Sequence, residues 1–212
     1  MQIVCDAVLF DLDGTLWDGT ETVLRSWNHI LAENPVRGPI TRGELQSIFG
    51  LQLDAIGERF FPALPVEKRY ELMRACTAYE NTLIRKEGGC LYEGIEEMLR
   101  ALSRRFPLFV VSNCQQGYIE AVLGHYGFEK YFADTECAGA TGLPKSGNIR
   151  LVAERNGLKR PVYVGDTETD EAAAAKAGVP FIHAAYGFGT AREGAVSVRR
   201  PLELEELLCP GA

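Results

Sequence analysis

The chain has 212 residues, enough for one full domain and a smaller insertion. Hydrophobic residues make up 46% and charged residues 24%, the balance of an ordinary soluble globular protein. A net charge of −7 argues against a nucleic-acid partner, and no apolar run reaches the roughly 18–20 residues of a membrane span.

The N-terminus carries no basic segment and no cleavage pattern, so no signal peptide is expected. Six cysteines are scattered without a Cys-x-x-Cys pair, a usage that fits a reducing, cytoplasmic setting. In chain order, the first strong signal is the apolar run Ala7-Val8-Leu9-Phe10, a buried strand that enters Asp11-Leu12-Asp13-Gly14. If the strand continues, Asp11 and Asp13 share one face, roughly 6–7 Å apart. Two carboxylates that close repel unless a cation, a shared proton or a charged substrate lies between them.

A helical region follows. Glu21 to Glu33 places Val23, Trp27, Ile30 and Leu31 at helical spacing. Pro35 to Pro39 is a loop, and Thr41 with Glu44 forms a capping box for a helix ending near Gly50. Leu53 to Phe61 is a short amphipathic helix, and Pro65 to Lys86 a long one, with Tyr70, Met73, Thr77 and Leu83 expected to face inward. No strand is expected in this region.

From Leu91 the pattern alternates between helix and strand. Helices are expected from Gly94 to Arg105, Gln116 to Tyr126, Ser146 to Asn156, Thr167 to Ala177 and Leu202 to Leu208. Strands are expected at 108–112, 132–138, 161–165 and 179–183. The expected fold is α/β: a Rossmann-like parallel sheet with helices on both faces. The core takes residues 1–15 and 89–212, interrupted by an all-helical insertion over 16–88.

Polar residues sit where expected strands end or helices begin: Asp11 and Asp13, then Ser112-Asn113, then Lys145, then Asp166 and Asp170. In a parallel sheet these converge on one edge. Oxygen-only ligands favour a hard cation, with Mg²⁺ expected where a phosphate completes the shell. Asp11 is placed to attack phosphorus and Asp13 to move protons. Ser112 and Asn113 can donate hydrogen bonds to the transferring group, and Lys145 can balance its charge. Asp166 would bind the metal, and Asp170, one helical turn on, would bind it or orient its waters.

The run Asp11-Leu12-Asp13-Gly14-Thr15-Leu16, with Ser112-Asn113, Lys145 and Gly165-Asp166-Thr167-x-x-Asp170, resembles the haloacid dehalogenase-like superfamily, in its Mg²⁺-dependent, phosphoglycolate phosphatase-like branch. The resemblance spans the whole chain and implies a helical cap inserted after the first strand. It implies that Asp11 is the nucleophile and Asp13 the general acid and base. Ser112, Asn113 and Lys145 would bind the substrate's phosphate. Asp11, Asp13 through its carbonyl, and Asp166 would hold Mg²⁺, with Asp170 in support. The implied partner is a small phosphorylated metabolite, and monomer or homodimer stays open. Gly50-Leu51-Gln52 resembles the family's specificity loop.

An EF-hand counted from Asp11 fails, because Thr22 stands where the closing glutamate belongs. Gly139 to Ser146 nearly spells a phosphate loop, but Pro144 removes a needed N–H. Two other functions compete: a sugar phosphomutase of the same superfamily, and a phosphometabolite-binding protein without turnover.

Overall fold

The computed structural model describes residues 2–211. Met1 and Ala212, the outer ends of the expected core segments, lie outside them. The centre is a six-stranded sheet of β1 (Ala7–Phe10), β2 (Leu108–Ser112), β3 (Phe132–Cys137), β4 (Pro161–Gly165), β5 (Phe181–Ala184) and β6 (Ser197–Val198). The order is β3-β2-β1-β4-β5-β6, and every neighbouring pair is parallel. β1, β2 and β4 are buried along their whole length, which is why they read as continuous apolar runs.

Alternation along the strands divides the core. Val8, Phe10, Val110 and Val164 belong to one apolar cluster, and Ala7, Leu9, Phe109, Val111 and Tyr163 to the other. The helices that close these faces follow the chain. The first half supplies α1 (Thr20–Glu33), α2 (Arg42–Gln46), α3 (Leu53–Phe60) and α4 (Val66–Glu87). The second half supplies α5 (Ile95–Leu102), α6 (Tyr118–Tyr126), α7 (Ala138–Thr141), α8 (Lys145–Arg155), α9 (Glu168–Ala177) and α10 (Glu203–Leu207). Met98 and Leu99 of α5 join the first cluster, and Ile149 of α8 with Ala174 of α9 join the second.

The helices α1 to α4 pack together. α1 buries Val23, Trp27, Ile30 and Leu31 as its spacing requires. Thr41 caps α2 by the expected box: its Oγ1 accepts from the Glu44 N–H, and its own N–H donates to Glu44 Oε2 at 2.8 Å. The inward face of α4 differs from expectation. Met73 and Thr77 are buried, but Tyr70 is 48% exposed and Leu83 is only half-buried. The buried stripe is Leu72, Met73, Cys76, Thr77, Glu80, Asn81 and Ile84. Reading apolar letters alone misses it, because Thr77, Glu80 and Asn81 are polar, and Glu80 and Asn81 both accept from Gln115 Nε2.

Three short pairings were also not expected. Trp17–Asp18 pairs antiparallel with Cys90–Leu91, joining the two places where the chain passes between the sheet and the helical region. Ile3–Cys5 pairs in parallel with Leu208–Pro210, so the closing helix gives way to a strand at Leu208. β6 adds an edge beyond β5. The strand expected from Val179 starts instead at Phe181, because the Val179 N–H still closes the end of α9 on the Ala174 carbonyl. Among the described residues no helix is long and apolar enough to cross a membrane.

Candidate active site

β2 lies on one side of β1 and β4, reached from β3, on the other, so the strand order reverses beside β1. Such a switch opens a crevice at the C-terminal ends of the strands. Asp11 follows β1 directly and is fixed by its N–H donating to the Val164 carbonyl at 2.8 Å. β1 ends at Phe10, so the extended geometry that would put Asp11 and Asp13 on one face does not hold, and Asp13 sits in a turn bridged to Trp17. Gly14 makes that turn at φ +80°. A Cβ there would lie 2.2 Å from Asp166 Oδ2, so the close approach of the first and last motifs requires glycine.

Lys145, the first residue of α8, is the hub. Its Nζ lies 2.9 Å from Asp11 Oδ1 and 2.6 Å from Asp170 Oδ1, and all three side chains are buried. Asp170 is held by the N-terminus of α9: its Oδ2 accepts from the Thr167 N–H at 3.1 Å and from Thr167 Oγ1 at 2.7 Å. Asp166 Oδ2 accepts from the Phe188 N–H at 2.8 Å. Carboxylate oxygens of Asp11, Asp166 and Asp170 all fall within 4.8 Å of one another.

Three carboxylates against one ammonium leave this cluster a formal charge of −2. Its electrostatics show the strain of that excess. Burial, then the charge of Asp170, drives the Asp11 carboxyl well above its ordinary range. The same two causes push Asp166 up to about 6. Burial pulls Lys145 down, but Asp11 and Asp170 outweigh it and hold the ammonium well above its ordinary value.

Asp13 lies outside that cluster. Its Oδ1 accepts from the Tyr118 hydroxyl at 2.7 Å and from Trp17 Nε1 at 3.0 Å. Burial pushes it up to about 6, against the pull of those two donors. Asp11, Asp13, Ser112, Asn113 and Lys145 line one cavity of about 60 Å³. Ser112 ends β2, buried, with its Oγ accepting from the Cys114 N–H at 3.4 Å. Asn113 donates its amide to the Gly50 carbonyl at 2.8 Å, while its Oδ1 is buried without a partner. The segment around Gly50 is thus attached to the sheet edge, and Phe49 stacks on Phe188 with ring centroids 4.9 Å apart.

The cavity has members that the motifs do not announce. Gln115 comes from the turn after β2 and Tyr118 from the start of α6, and Trp27 and Glu80 come from α1 and α4. Glu80 accepts from Trp27 Nε1 and, at 3.2 Å, from Gln115 Nε2. Burial pushes its carboxyl up to about 7. The available signal was an acidic residue on the buried stripe of an otherwise surface-lying helix.

The sequence profile of the haloacid dehalogenase-like hydrolases matches residues 8–184. The chain belongs to that family. It is 30% identical over 192 residues to a phosphoglycolate phosphatase of Agrobacterium fabrum, covering 85% of this chain and 80% of that one. It is 29% identical to a 5'-nucleotidase of Pseudomonas aeruginosa, covering 88% and 85%. The crystal structure of a predicted phosphatase from Clostridium acetobutylicum superposes with a TM-score of 0.79 at 26% identity, covering 96% of this chain and 98% of that one.

Proposed function

We propose that this protein is a Mg²⁺-dependent phosphatase that hydrolyses a small phosphate monoester through a phosphoryl group carried on Asp11. The observation that carries the reading is the Asp11–Lys145–Asp170 chain beside Asp166: a nucleophile, a buried cation and surplus carboxylates in one place. The donor set is all oxygen and carries an excess charge of −2, which fits a hard divalent ion. Asp11 and Asp166 would hold it, together with the Asp13 carbonyl, and Asp170 would support it. When bound, Mg²⁺ supplies positive charge at the phosphoryl oxygens.

The chain's own residues do the rest. Asp11 attacks phosphorus, and the bond from phosphorus to the ester oxygen breaks as Asp13 gives that oxygen a proton. Asp13 then takes a proton from water, whose oxygen attacks the phosphorus and frees Asp11. An acid held near 6 is suited to both directions of transfer. Lys145 and Ser112 would face the phosphoryl oxygens, with Asp170 fixing the ammonium. Asn113 is better suited to hold the Gly50 segment, since its amide is already donated there.

The chain divides in this reading into a core over 1–15 and 89–212 and a helical cap over 16–88. The paired Trp17–Asp18 and Cys90–Leu91 would be the hinge. Six free cysteines support a reducing compartment, and we place the protein in the cytoplasm. The test is phosphate release from p-nitrophenyl phosphate. Release that needs Mg²⁺ and stops on chelation is expected; equal rates with and without the ion contradict the reading.

A further inference from the structure

The helical segment closes the cavity with Val23, Trp27, Leu45, Ile48, Phe49 and Ile56, an apolar wall. Into this wall it sets one charged side chain, Glu80. Among the described residues, no arginine or histidine lines the cavity, and its lysine, Lys145, is already paired with Asp11 and Asp170. Glu80 is 4% exposed and fixed by Trp27 and Gln115, one donor on each oxygen. A carboxylate has about four acceptor positions, so each oxygen keeps one free.

We propose that the ester's alcohol portion carries no anionic group and sets a hydroxyl or ammonium donor against Glu80. This rests on the phosphatase reading above. Above about pH 7, where Glu80 is ionised, a leaving group with its own carboxylate would meet it in an apolar enclosure with no cation between them, and two carboxylates so placed cannot both stay ionised. A neutral or cationic group of equal size avoids that repulsion and gains an acceptor. Apolar contact cannot replace the charge argument, since a wall of aliphatic and aromatic groups tells similar sizes apart only weakly. The proposal therefore separates this chain's substrate from phosphoglycolate, the substrate in the name of its Agrobacterium relative.

Four esters of matched length test it at about pH 8.5, where Glu80 is ionised: 2-phosphoglycolate, ethyl phosphate, 2-hydroxyethyl phosphate and 2-aminoethyl phosphate, with p-nitrophenyl phosphate as reference. The hydroxyethyl or aminoethyl ester should exceed phosphoglycolate by about tenfold or more in kcat/KM. Glu80→Gln should narrow that ratio, and Glu80→Asp, which keeps the charge, should preserve its sign. Phosphoglycolate equal to or better than both in the wild-type protein overturns the proposal, whatever the variants do. So does cleavage of p-nitrophenyl phosphate with none of the four small esters turned over. No Mg²⁺-dependent release even from p-nitrophenyl phosphate instead overturns the phosphatase reading, and the proposal with it.

Discussion

Tyr118 donates its hydroxyl to Asp13 at 2.7 Å, tying the first turn of α6 to the turn after β1. Tyr118 is buried and Asp13 half-buried, so the bond fixes the carboxylate's direction as well as its proton affinity. Trp17 supplies the second donor to the same oxygen. Tyr118 thus positions Asp13.

Removing that hydroxyl leaves Asp13 with Trp17 alone. A hydrogen bond to a charged group contributes about 1.5–3 kcal/mol. Tyr118→Phe should lower kcat about tenfold with little change in KM, because the loss falls on proton transfer and leaves phosphate binding intact. Steady-state kinetics on p-nitrophenyl phosphate measure it; a kcat within about twofold of wild type contradicts the positioning role.

Lys145 offsets two buried carboxylates. Breaking such a buried pair costs about 3–5 kcal/mol, since the remaining charge is stranded. Lys145→Met should lose that much stability in urea titrations run with chelator, and should release no phosphate at any Mg²⁺ concentration. A variant as stable as wild type would show that the lysine is not the counter-charge of this cluster.

Glu80 links stability to pH. Its carboxyl is raised from 4.5 to about 7 by burial, so between those values the folded chain binds a proton that the unfolded chain has lost. The stabilising contribution is present below the unfolded value and is lost as pH rises through the folded one. The span corresponds to about 3 kcal/mol. Asp11, Asp13 and Asp166 are raised as well and act in the same direction. The effect is therefore read as a difference: Glu80→Gln in chelator should gain on wild type by about that amount from about pH 5 to about pH 8. A pH-independent difference contradicts it.

The sheet was legible because its strands are buried on both faces, which writes them as unbroken apolar runs such as Ala7–Phe10 and Leu108–Val111. The motif residues were legible because a parallel sheet gathers its strand ends. Asp11, Lys145, Asp166 and Asp170 meet as that rule requires. What escaped has no periodic signal. The pairing of Trp17–Asp18 with Cys90–Leu91 is two residues long. Gln115 sits in the turn after β2 and Tyr118 at the first residue of α6, where their direction depends on tertiary contacts. Glu80 occupies a buried position that apolar patterning assigns to oil, and only its neighbours Trp27 and Gln115 explain why a carboxylate stays there.

The account stands on Asp11 as the atom that takes the phosphoryl group. Its direct test is acid quenching of the protein during turnover of a ³²P-labelled ester with Mg²⁺, followed by peptide mapping. The label should appear on the peptide containing Asp11 and vanish in Asp11→Asn along with phosphate release. Undiminished release by Asp11→Asn, or label on a different residue, would contradict it.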